Sequence, residues 1–280
     1  MGYYKKVFTH TLVSPESDLL VSDLGDLGFE SFEQEAGALI GYWPDTAGRP
    51  EEADAAIADI LSQYGLVQDG AWEKMPDINW NQAWESHYEP VRIGDFCFVH
   101  APFHTERPNV KHFVEIEPKM SFGTAHHPTT ALMIEFIAET DWRGRQVVDM
   151  GCGTGILGLL AAKEGAAAVL AVDYDDWACA NARENVTRNG LADRVTVVQG
   201  SSGQLTGLRV DAVLANINRN ILLEHLPAYA AALKPGGRLF LSGFYESDVP
   251  VLQERAEAAG FALKARKTRE AWTALAFQYR

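Results

Sequence analysis

The sequence has little cysteine and no long apolar run. Three cysteines stand among its 280 residues, Cys97, Cys152 and Cys179, and their spacing shows no pairing, which favours reduced thiols in a cytoplasm over a disulfide framework. No apolar run reaches the roughly 18 residues that a membrane-spanning helix needs, and the start of the chain lacks the apolar core of a secretory signal. We therefore expect a cytoplasmic protein without a membrane partner.

Positive charge is also scarce. The 24 Lys and Arg residues are outnumbered by 38 Asp and Glu residues, which gives a formal net charge of −14. Such a field repels a phosphate backbone and attracts basic molecules, so nucleic acid is not expected to be a direct partner. The length is sufficient to bury one large core or two unequal ones, and we expect the chain to act as a monomer.

Residues 1–75 alternate between β-rich runs and amphipathic helical runs. The pattern predicts, in chain order, a strand over Tyr4–Val13, a helix that begins at Ser14-Pro15 and ends before Gly28, a hairpin of Phe29–Glu35 and Ala38–Trp43, a helix over Glu51–Tyr64 and a strand over Ala71–Met75. The order β-α-β-β-α-β suits a small ferredoxin-like α+β domain, with a sheet on one side and two helices on the other. Such a fold has no chemistry of its own.

The rest of the chain divides into a linker and a larger domain. Trp80 and Trp84 stand four residues apart and predict a short helix in a linker over residues 76–94. In residues 95–280, helical patterns alternate with the apolar runs VVDM, AVLAVD, VTVVQ, DAVLAN and RLFLSG. These runs predict the parallel strands of a doubly wound, Rossmann-like α/β domain. FALKAR and WTALAFQY predict a C-terminal antiparallel hairpin.

A glycine loop, DMGCGTG at residues 149–155, ends the first of these strands. Two templates match it. From Gly153 to Gly158 the spacing is G-x-G-x-x-G, and Asp173 follows 20 residues after Gly153, as in nicotinamide dinucleotide sites. The other template, D-x-G-x-G-x-G, begins at Asp149. A carboxylate at that point would repel a pyrophosphate and attract S-adenosylmethionine, which has a sulfonium and an ammonium.

Asp173 ends the second strand of the domain and has two interpretations. Its carboxylate could accept hydrogen bonds from the ribose hydroxyls of a bound cofactor, or it could cap the following helix. Tyr174 beside it could lie along an adenine or simply pack. LKPGGRLFLSG at residues 233–243 predicts a Pro-Gly-Gly turn that is typical of methyltransferases, and nicotinamide domains normally lack the C-terminal hairpin. We favour an S-adenosylmethionine-dependent methyltransferase, with a nicotinamide-dependent oxidoreductase as the alternative.

Two further segments make a family resemblance specific. SFGTAHHPTTALMIEF at residues 121–136 and LANINRNIL at residues 214–222 resemble the segments that flank the glycine loop in ribosomal protein L11 methyltransferases, the PrmA family. LGFESFEQE and NWNQAWESHYEPV extend the resemblance to nearly the whole chain. It implies transfer of methyl groups to lysine ε-amines and the N-terminal α-amine of the large-subunit ribosomal protein L11, which is trimethylated as a free protein, and recognition of that protein by residues 1–75.

The resemblance also implies where the cofactor binds. The family's contacts carry over to Thr130, Gly151, Asp173 and Asn216, and the loop template adds Asp149, Gly153 and Gly155. Thr130 could instead cap the helix that it precedes. In two places the chain departs from the family: Ala125 stands where a glycine is common, and Ser201-Ser202 stand where many methyltransferases have an acid for the adenine amine.

Methyl transfer to an amine is an in-line displacement that needs a neutral nucleophile. Asn216 is the predicted amine-positioning residue, because its side-chain oxygen can accept a hydrogen bond without fixing an ammonium; it could alternatively serve only the cofactor. Phe122, Thr124 and His127 are predicted on the substrate side of the site, although Phe122 and Thr124 could instead only pack within their loop. His127 is the one nearby competitor for the role of general base.

We predict no metal site and leave two other functions open. His126 and His127 lack further ligands at metal-binding spacing, and so do His100 and His104. A methyltransferase for small amines would have no evident need of the N-terminal domain. A non-enzymatic module that binds S-adenosylmethionine would have no need of Asn216.

Overall fold

The computed structural model describes residues 3–10, 12, 16–35, 37–67, 70–75, 88–119 and 121–280. The chain forms two compact units, Met1–Tyr88 and Glu89–Arg280. The predicted helix with Trp80 and Trp84 lies outside the described residues, as does the predicted helix start at Ser14-Pro15. Among the described residues, no helix combines the length and the apolarity that crossing a membrane requires.

The first unit has the predicted β-α-β-β-α-β order. Its elements are β1 (Tyr3–Thr9), α1 (Glu16–Leu27), β2 (Ser31–Glu35), β3 (Ala38–Pro44), α2 (Asp54–Gln63) and β4 (Glu73–Lys74). The strands form an antiparallel sheet in the order β2-β3-β1-β4, which is the ferredoxin-like arrangement. The second helix begins later than predicted, because a 3-10 turn over Pro50–Ala53 precedes it.

Alternation along the strands gives this sheet a face buried beneath the helices. Phe8, Leu39 and Trp43 belong to one cluster with Leu20 and Leu24 of α1.

Lys6 lies on the same buried face and is only 1% exposed. Its ammonium contacts Asp54 Oδ1 at 3.0 Å and lies 4.6 Å from the centre of the Trp72 ring. The Trp72 indole N–H donates to the same oxygen at 2.9 Å. The buried charge is therefore paired and stabilised by the aromatic ring, as burial requires.

The second unit is built on a seven-stranded sheet. Its elements are α3 (Pro128–Ala138), β8 (Gln146–Met150), α4 (Ile156–Lys163), β9 (Ala168–Asp173), α5 (Asp176–Arg188), β10 (Val195–Gln199), β11 (Val210–Asn216), α6 (Arg219–Ala232), β12 (Leu233–Tyr245), α7 (Val249–Ala258), β13 (Phe261–Arg269) and β14 (Trp272–Tyr279). The strand order is β10-β9-β8-β11-β12-β14-β13. Strands β8 to β12 are parallel, and β14 is antiparallel to both β12 and β13. The predicted doubly wound domain and its closing hairpin are confirmed.

Helices cover both faces of this sheet. Buried side chains of α3, α4 and α5 form a cluster on one face with Trp142, and those of α6 and α7 form a cluster on the other with Tyr229. The strands read as continuous apolar runs because both of their faces are buried. The chain reverses its direction of winding between β8 and β11, and the carboxyl ends at such a switch point form a crevice.

The Pro-Gly-Gly segment is not the plain turn that we predicted. The strand pairing jumps from Val210–Leu233 to Ala212–Arg238, so residues 234–237 form an irregularity within β12 rather than a connection before it. Proline and glycine can occupy such a bulge because it makes few ladder hydrogen bonds.

A small sheet that the sequence did not predict precedes the main one. Strands β5 (Val91–Ile93), β6 (Cys97–His100) and β7 (His112–Glu115) pair in that order. They are three or four residues long, too short for alternation to identify.

Two asparagines, one in the last turns of α5 and one directly after it, attach the end of β7 and the segment that follows it to this helix. Asn185 accepts a hydrogen bond from the Glu117 N–H at 2.8 Å and donates to the Thr154 carbonyl at 3.0 Å. Asn189, one turn later, accepts from the Glu115 N–H and donates to the Glu115 carbonyl. These side chains replace the partners that a strand or helix would have supplied to the backbone.

Candidate active site

A cavity of about 770 Å³ opens at the carboxyl ends of the parallel strands. Its lining includes Met150 and Asp173, the last residues of β8 and β9, and Asn216, the last residue of β11. Gly200, directly after β10, completes the row. Open α/β sheets bind ligands at this edge. The fold brings six of the predicted site residues together here: Phe122, His127, Gly151, Gly153, Asp173 and Asn216.

The glycine loop forms the floor of the cavity, and two of its glycines cannot be replaced without movement. Gly151 has φ +67° and Gly153 has φ +53°, a region that favours glycine. A Cβ on Gly151 would lie 2.1 Å from Ile217 Cγ2, and one on Gly153 would lie 2.2 Å from the Phe122 carbonyl oxygen. The loop therefore presents bare backbone to the cavity. Gly155 is the N-cap residue of α4 and does not line the cavity.

Asp149 does not line the cavity either, which corrects its predicted direct contact. It is 1% exposed, its Oδ2 accepts a hydrogen bond from the Gly158 N–H at 2.8 Å, and its Oδ1 has no partner among the described residues. Burial raises its pKa to about 7, and the nearby Asp173 charge adds to that rise. Asp149 joins the loop to the first turn of α4, and its partial neutralisation weakens the electrostatic argument against a pyrophosphate.

Asp173 points into the cavity and organises the loop. Its Oδ2 accepts a hydrogen bond from the Gly153 N–H at 2.9 Å, and its Oδ1 accepts from the Asp175 N–H at 3.1 Å. Each carboxylate oxygen has a further lone pair that a hydroxyl could use. The capping alternative is wrong, because Asp175 caps α5 by accepting from the Trp177 N–H. Tyr174 is 78% exposed and lines the cavity.

Asn216 lies at the tip of β11 with one polar atom free. Its Nδ2 donates to the Thr130 hydroxyl at 3.2 Å, and its buried Oδ1 has no partner among the described residues. Thr130 is fully buried and does not line the cavity. It is not the N-cap of α3 either, because His127 has that role. Thr130 therefore acts on the cavity by orienting Asn216, and the neighbouring Thr129 lines it instead.

The loop before α3 covers one side of the cavity. Phe122 is 53% exposed and its ring centre lies 5.2 Å from that of His127, which in turn packs edge-on against Trp272 at 4.6 Å. All three line the cavity, whereas Thr124, whose hydroxyl bonds to His126 Nδ1 at 3.0 Å, does not.

The hydrogen bonds of His127 limit its chemistry. Its Nδ1 accepts the backbone N–H of Thr129 at 3.3 Å and lies 2.8 Å from the Thr129 hydroxyl. Because Nδ1 uses its lone pair as the helix cap, the neutral ring carries its proton on Nε2. The remaining nitrogen is therefore a donor and is poorly suited to accept a proton from an amine.

Ala125 shows why a glycine is common at its position. Its φ is +69°, and it is one of two non-glycine residues with positive φ among the described part of the chain. A side chain in this region costs roughly 1–2 kcal/mol, so the departure seen in the sequence is a strained turn in the loop that covers the cavity.

Metal ligands are not assembled here. Among the residues that the structure describes, no group of three His, Cys, Asp or Glu side chains could hold a metal ion. His100 Nδ1 bonds to the Ala101 carbonyl, and His104 Nδ1 accepts from the Ala101 N–H. The three cysteines are free and buried.

The sequence did not identify several residues of the cavity. His225 on α6 and Trp272 at the start of β14 line it, as does the exposed carboxylate of Glu224. Trp272 stacks on Tyr245 with 4.1 Å between ring centres. No local motif marks these positions, because only the pairing of β14 with β12 and the packing of α6 bring them to the strand tips.

The strand order, the closing hairpin and the cavity over a glycine loop together define a Rossmann-like methyltransferase. A family model described as "Ribosomal protein L11 methyltransferase (PrmA)" matches residues 26–280. The chain belongs to the ribosomal protein L11 methyltransferase (PrmA) family.

Individual relatives agree. A protein of Porphyromonas gingivalis named ribosomal protein L11 methyltransferase is 44% identical over 265 residues, which cover 93% of this chain and 90% of that one. A protein of the same name from Phocaeicola vulgatus is 37% identical over 283 residues, 99% of both chains. The crystal structure of a ribosomal protein L11 methylase from Lactobacillus delbrueckii subsp. bulgaricus has a TM-score of 0.64 and 26% identity, and the match covers 69% of this chain and 100% of that one.

The predicted family, fold and enzyme class are therefore confirmed. The family and the fold imply a methyl donor of the S-adenosylmethionine type. The alternative of a nicotinamide-dependent oxidoreductase is wrong.

Proposed function

We propose that this protein binds S-adenosylmethionine in the cavity and transfers its methyl groups to the lysine ε-amines and the N-terminal α-amine of ribosomal protein L11, giving trimethylated products. The observation that carries the proposal is the buried, unpartnered Oδ1 of Asn216 at a cavity floored by bare glycine backbone. A buried acceptor without a partner costs free energy, and an amine supplies the donor that it lacks.

The dimensions of the cavity suit this cofactor. Polar groups stand at the tips of four neighbouring strands, from Ser201 after β10 through Asp173 and Gly151 to Asn216 on β11. Three interstrand steps span about 14 Å, the extent of an adenine, a ribose and an amino acid in line. Asp173 would hold the ribose, and Gly151 and Gly153 would admit the amino-acid end.

The residues of the chain need to do little chemistry. The cofactor, when bound, supplies an activated methyl whose bond to sulfur breaks as the bond to nitrogen forms. The nucleophile must first lose a proton, since the ordinary pKa of a lysine amine keeps it charged at neutral pH. In the first two transfers, Asn216 Oδ1 can accept one N–H of the neutral amine and so aim the nitrogen lone pair at the methyl carbon. The dimethylated amine of the third transfer has no N–H left, so the shape of the cavity alone must align it. Since His127 presents a donor, the proton passes to solvent and not to a dedicated base.

The charge of the first unit supports a basic protein as substrate. Residues 1–75 contain fourteen Asp and Glu against four Lys and Arg, so they hold −10 of the total −14. A protein that binds ribosomal RNA presents Lys and Arg to phosphates. Free L11 would expose that basic surface before assembly, and an acidic domain would attract it.

One face of the first unit combines apolar contact area with acidic residues. Val7, Ile40 and Tyr42 lie on the sheet face opposite the helices, because their neighbours along each strand are buried beneath the helices. Glu33 pairs directly with Ile40 across the β2–β3 ladder, and Glu35 follows two residues later on the same face. We infer that residues 1–75 recognise the substrate through this face, that residues 76–94 link the domains, and that residues 95–280 of a monomeric cytoplasmic enzyme perform the transfer.

Calorimetry tests the cofactor. The protein should bind S-adenosylmethionine and not NAD, and Asp173→Ala should weaken binding by about 1–3 kcal/mol through lost charge-assisted hydrogen bonds. Asp176→Ala, an exposed neighbour that does not line the cavity, is the matched control. If the protein bound NAD and not S-adenosylmethionine, S-adenosylmethionine would be rejected as the cofactor. An unchanged affinity of Asp173→Ala for S-adenosylmethionine would reject the contact between Asp173 and the ribose.

Mass spectrometry of L11 incubated with the enzyme tests the substrate. Full-length protein should add up to three methyls per target amine, whereas deletion of residues 1–75 should leave cofactor binding intact and abolish methylation. Glu33→Lys with Glu35→Lys should lower the rate, and the charge-matched pair Glu254→Lys with Glu257→Lys on α7 should not. Methylation by the truncated protein at the full rate would contradict the recognition role. Activity on small amines but not on L11 would show that L11 is not the substrate.

A further inference from the structure

The cavity has an end that the proposed function leaves without a contact. Beyond Asp173 lie Ser201 and His225, with Tyr174 beside them. The Gly200 N–H donates to the Asp173 carbonyl at 2.7 Å, and the Gln199 side chain donates to the Tyr174 carbonyl at 3.1 Å. This end, which we call the outer lobe, therefore adjoins Asp173 on the side away from Asn216. If Asp173 holds the ribose, the adenine occupies the outer lobe.

A chain of hydrogen bonds leads from the core to the outer lobe. The Tyr229 hydroxyl lies 3.3 Å from His225 Nδ1, and His225 Nε2 lies 3.3 Å from Ser201 Oγ. Tyr229 is fully buried and His225 is 7% exposed. Ser201 is exposed to the cavity.

Burial fixes the direction of this chain. A buried phenol must donate its proton, and His225 Nδ1 is its one hydrogen-bond partner in the described part of the protein. Nδ1 is therefore the acceptor, and the ring proton of neutral His225 is on Nε2. Burial lowers the pKa of His225, which keeps the ring neutral. Nε2–H then donates to Ser201 Oγ, and the serine proton is directed away from the histidine.

We propose that the Ser201 hydroxyl, oriented by His225 and Tyr229, donates a hydrogen bond to ring nitrogen N1 of the cofactor's adenine. The proposal rests on the proposed binding of S-adenosylmethionine. Ser201 is a contact residue, whereas His225 and Tyr229 are positioning residues that act through it.

The donor character of Ser201 distinguishes it from a carboxylate at the same place. An acid can only accept, and it would pair with the exocyclic amine of adenine. Glu224, an exposed carboxylate that also lines the cavity, is limited in the same way. A hydroxyl whose lone pair already receives a histidine N–H has its own proton to give, and N1 is an acceptor. Recognition through N1 is therefore a signature that neither an acid in place of Ser201 nor Glu224 could produce.

The test compares two ligands by calorimetry. One is S-adenosylhomocysteine, and the other is its 1-deaza analogue, in which C–H replaces N1. Wild-type protein should bind the analogue about three- to tenfold more weakly, the range for one neutral hydrogen bond. Ser201→Ala should bind both ligands with equal, weakened affinity. Ser202→Ala, in the same loop but outside the lining, should keep the wild-type ratio.

The positioning role has its own variants. His225→Gln retains an N–H near the position of Nε2 and should preserve the discrimination between the ligands, whereas His225→Leu should reduce it. A merely structural histidine would affect both ligands equally and leave their ratio unchanged.

Two failures are distinguishable. If wild-type protein does not bind S-adenosylhomocysteine, the proposed function fails. If it binds S-adenosylhomocysteine but does not distinguish the 1-deaza analogue, or if Ser201→Ala still distinguishes it, the assignment of Ser201 is overturned and the cofactor stands.

Discussion

Asp149 should make the stability of the second unit depend on pH in an unusual direction. Its pKa is about 7 in the folded protein because it is buried with a single hydrogen bond, whereas an unfolded aspartate titrates near 3.9. The folded state therefore binds more protons than the unfolded state between these two values. By linkage, the stabilisation is complete below about pH 4 and is lost as the pH rises through 7.

The magnitude follows from the gap between the two pKa values. Each unit is about 1.36 kcal/mol, so the full loss is about 4 kcal/mol, and about 2.5 kcal/mol of it falls between pH 5 and pH 8. Asp149→Asn is nearly isosteric and has no charge to bury. The amide introduces a cost of its own, about 1–3 kcal/mol for an unpartnered donor, but that cost does not vary with pH.

The assay is urea unfolding of the full chain at pH 5, 6, 7 and 8. The free energy of unfolding of the wild type should fall by about 2.5 kcal/mol relative to Asp149→Asn across this range. Asp176→Asn, an exposed aspartate at the start of α5, should run parallel to the wild type. If the difference in the free energy of unfolding between wild type and Asp149→Asn were constant from pH 5 to 8, the buried carboxyl of Asp149 would not titrate near neutrality and the reasoning would be refuted.

Four further predictions concern the chemistry, the glycine loop and the packing of α5. Asn216→Ala should lower kcat more than it weakens cofactor binding. His127→Ala should retain the single rise of rate with pH that belongs to the substrate amine, and loss of that ionisation would identify His127 as a base. Gly153→Ala should abolish cofactor binding in calorimetry, since its Cβ would lie 2.2 Å from a backbone oxygen, and normal affinity would show that the loop need not be bare. Asn185→Ala should lower stability in urea unfolding by about 1–3 kcal/mol and by more than Asn189→Ala at the more exposed end of the helix; equal losses would contradict the role of burial.

The order of the elements could be predicted from the sequence because it is encoded locally. Apolar runs identified the parallel strands, and period-2 and period-3.6 patterns identified the elements of the first unit. The glycine loop was equally visible as a local motif, since Gly151 and Gly153 adopt positive φ. The close approaches that leave no room for a Cβ come from Ile217 and Phe122, which are distant in sequence, and only the fold reveals them. The short strands β5 to β7 escaped detection because three or four residues hold too little pattern.

Which residues of the motif reach the cavity was decided by tertiary structure alone. Asp149 and Thr130 belong to recognisable motifs, yet both are buried behind the residues that line the site. The caps of α3 and α5 are His127 and Asp175 rather than Thr130 and Asp173. A sequence motif records which residues are near each other along the chain, but not which way each side chain points once helices and strands pack.

The outer lobe illustrates the same division. Ser201 was visible as a departure from the usual acid, but its character as a donor depends on His225, 24 residues later, and on Tyr229 one helical turn beyond. The proton of Ser201 is directed by the burial of Tyr229, a side chain of α6 in the cluster that covers one face of the sheet. Sequence determined the sheet, the glycine loop and the family. The direction of the hydrogen bonds at the cavity depends on the contacts of His225 with Ser201 and with Tyr229, each 3.3 Å long, and only the folded chain joins these contacts into one series.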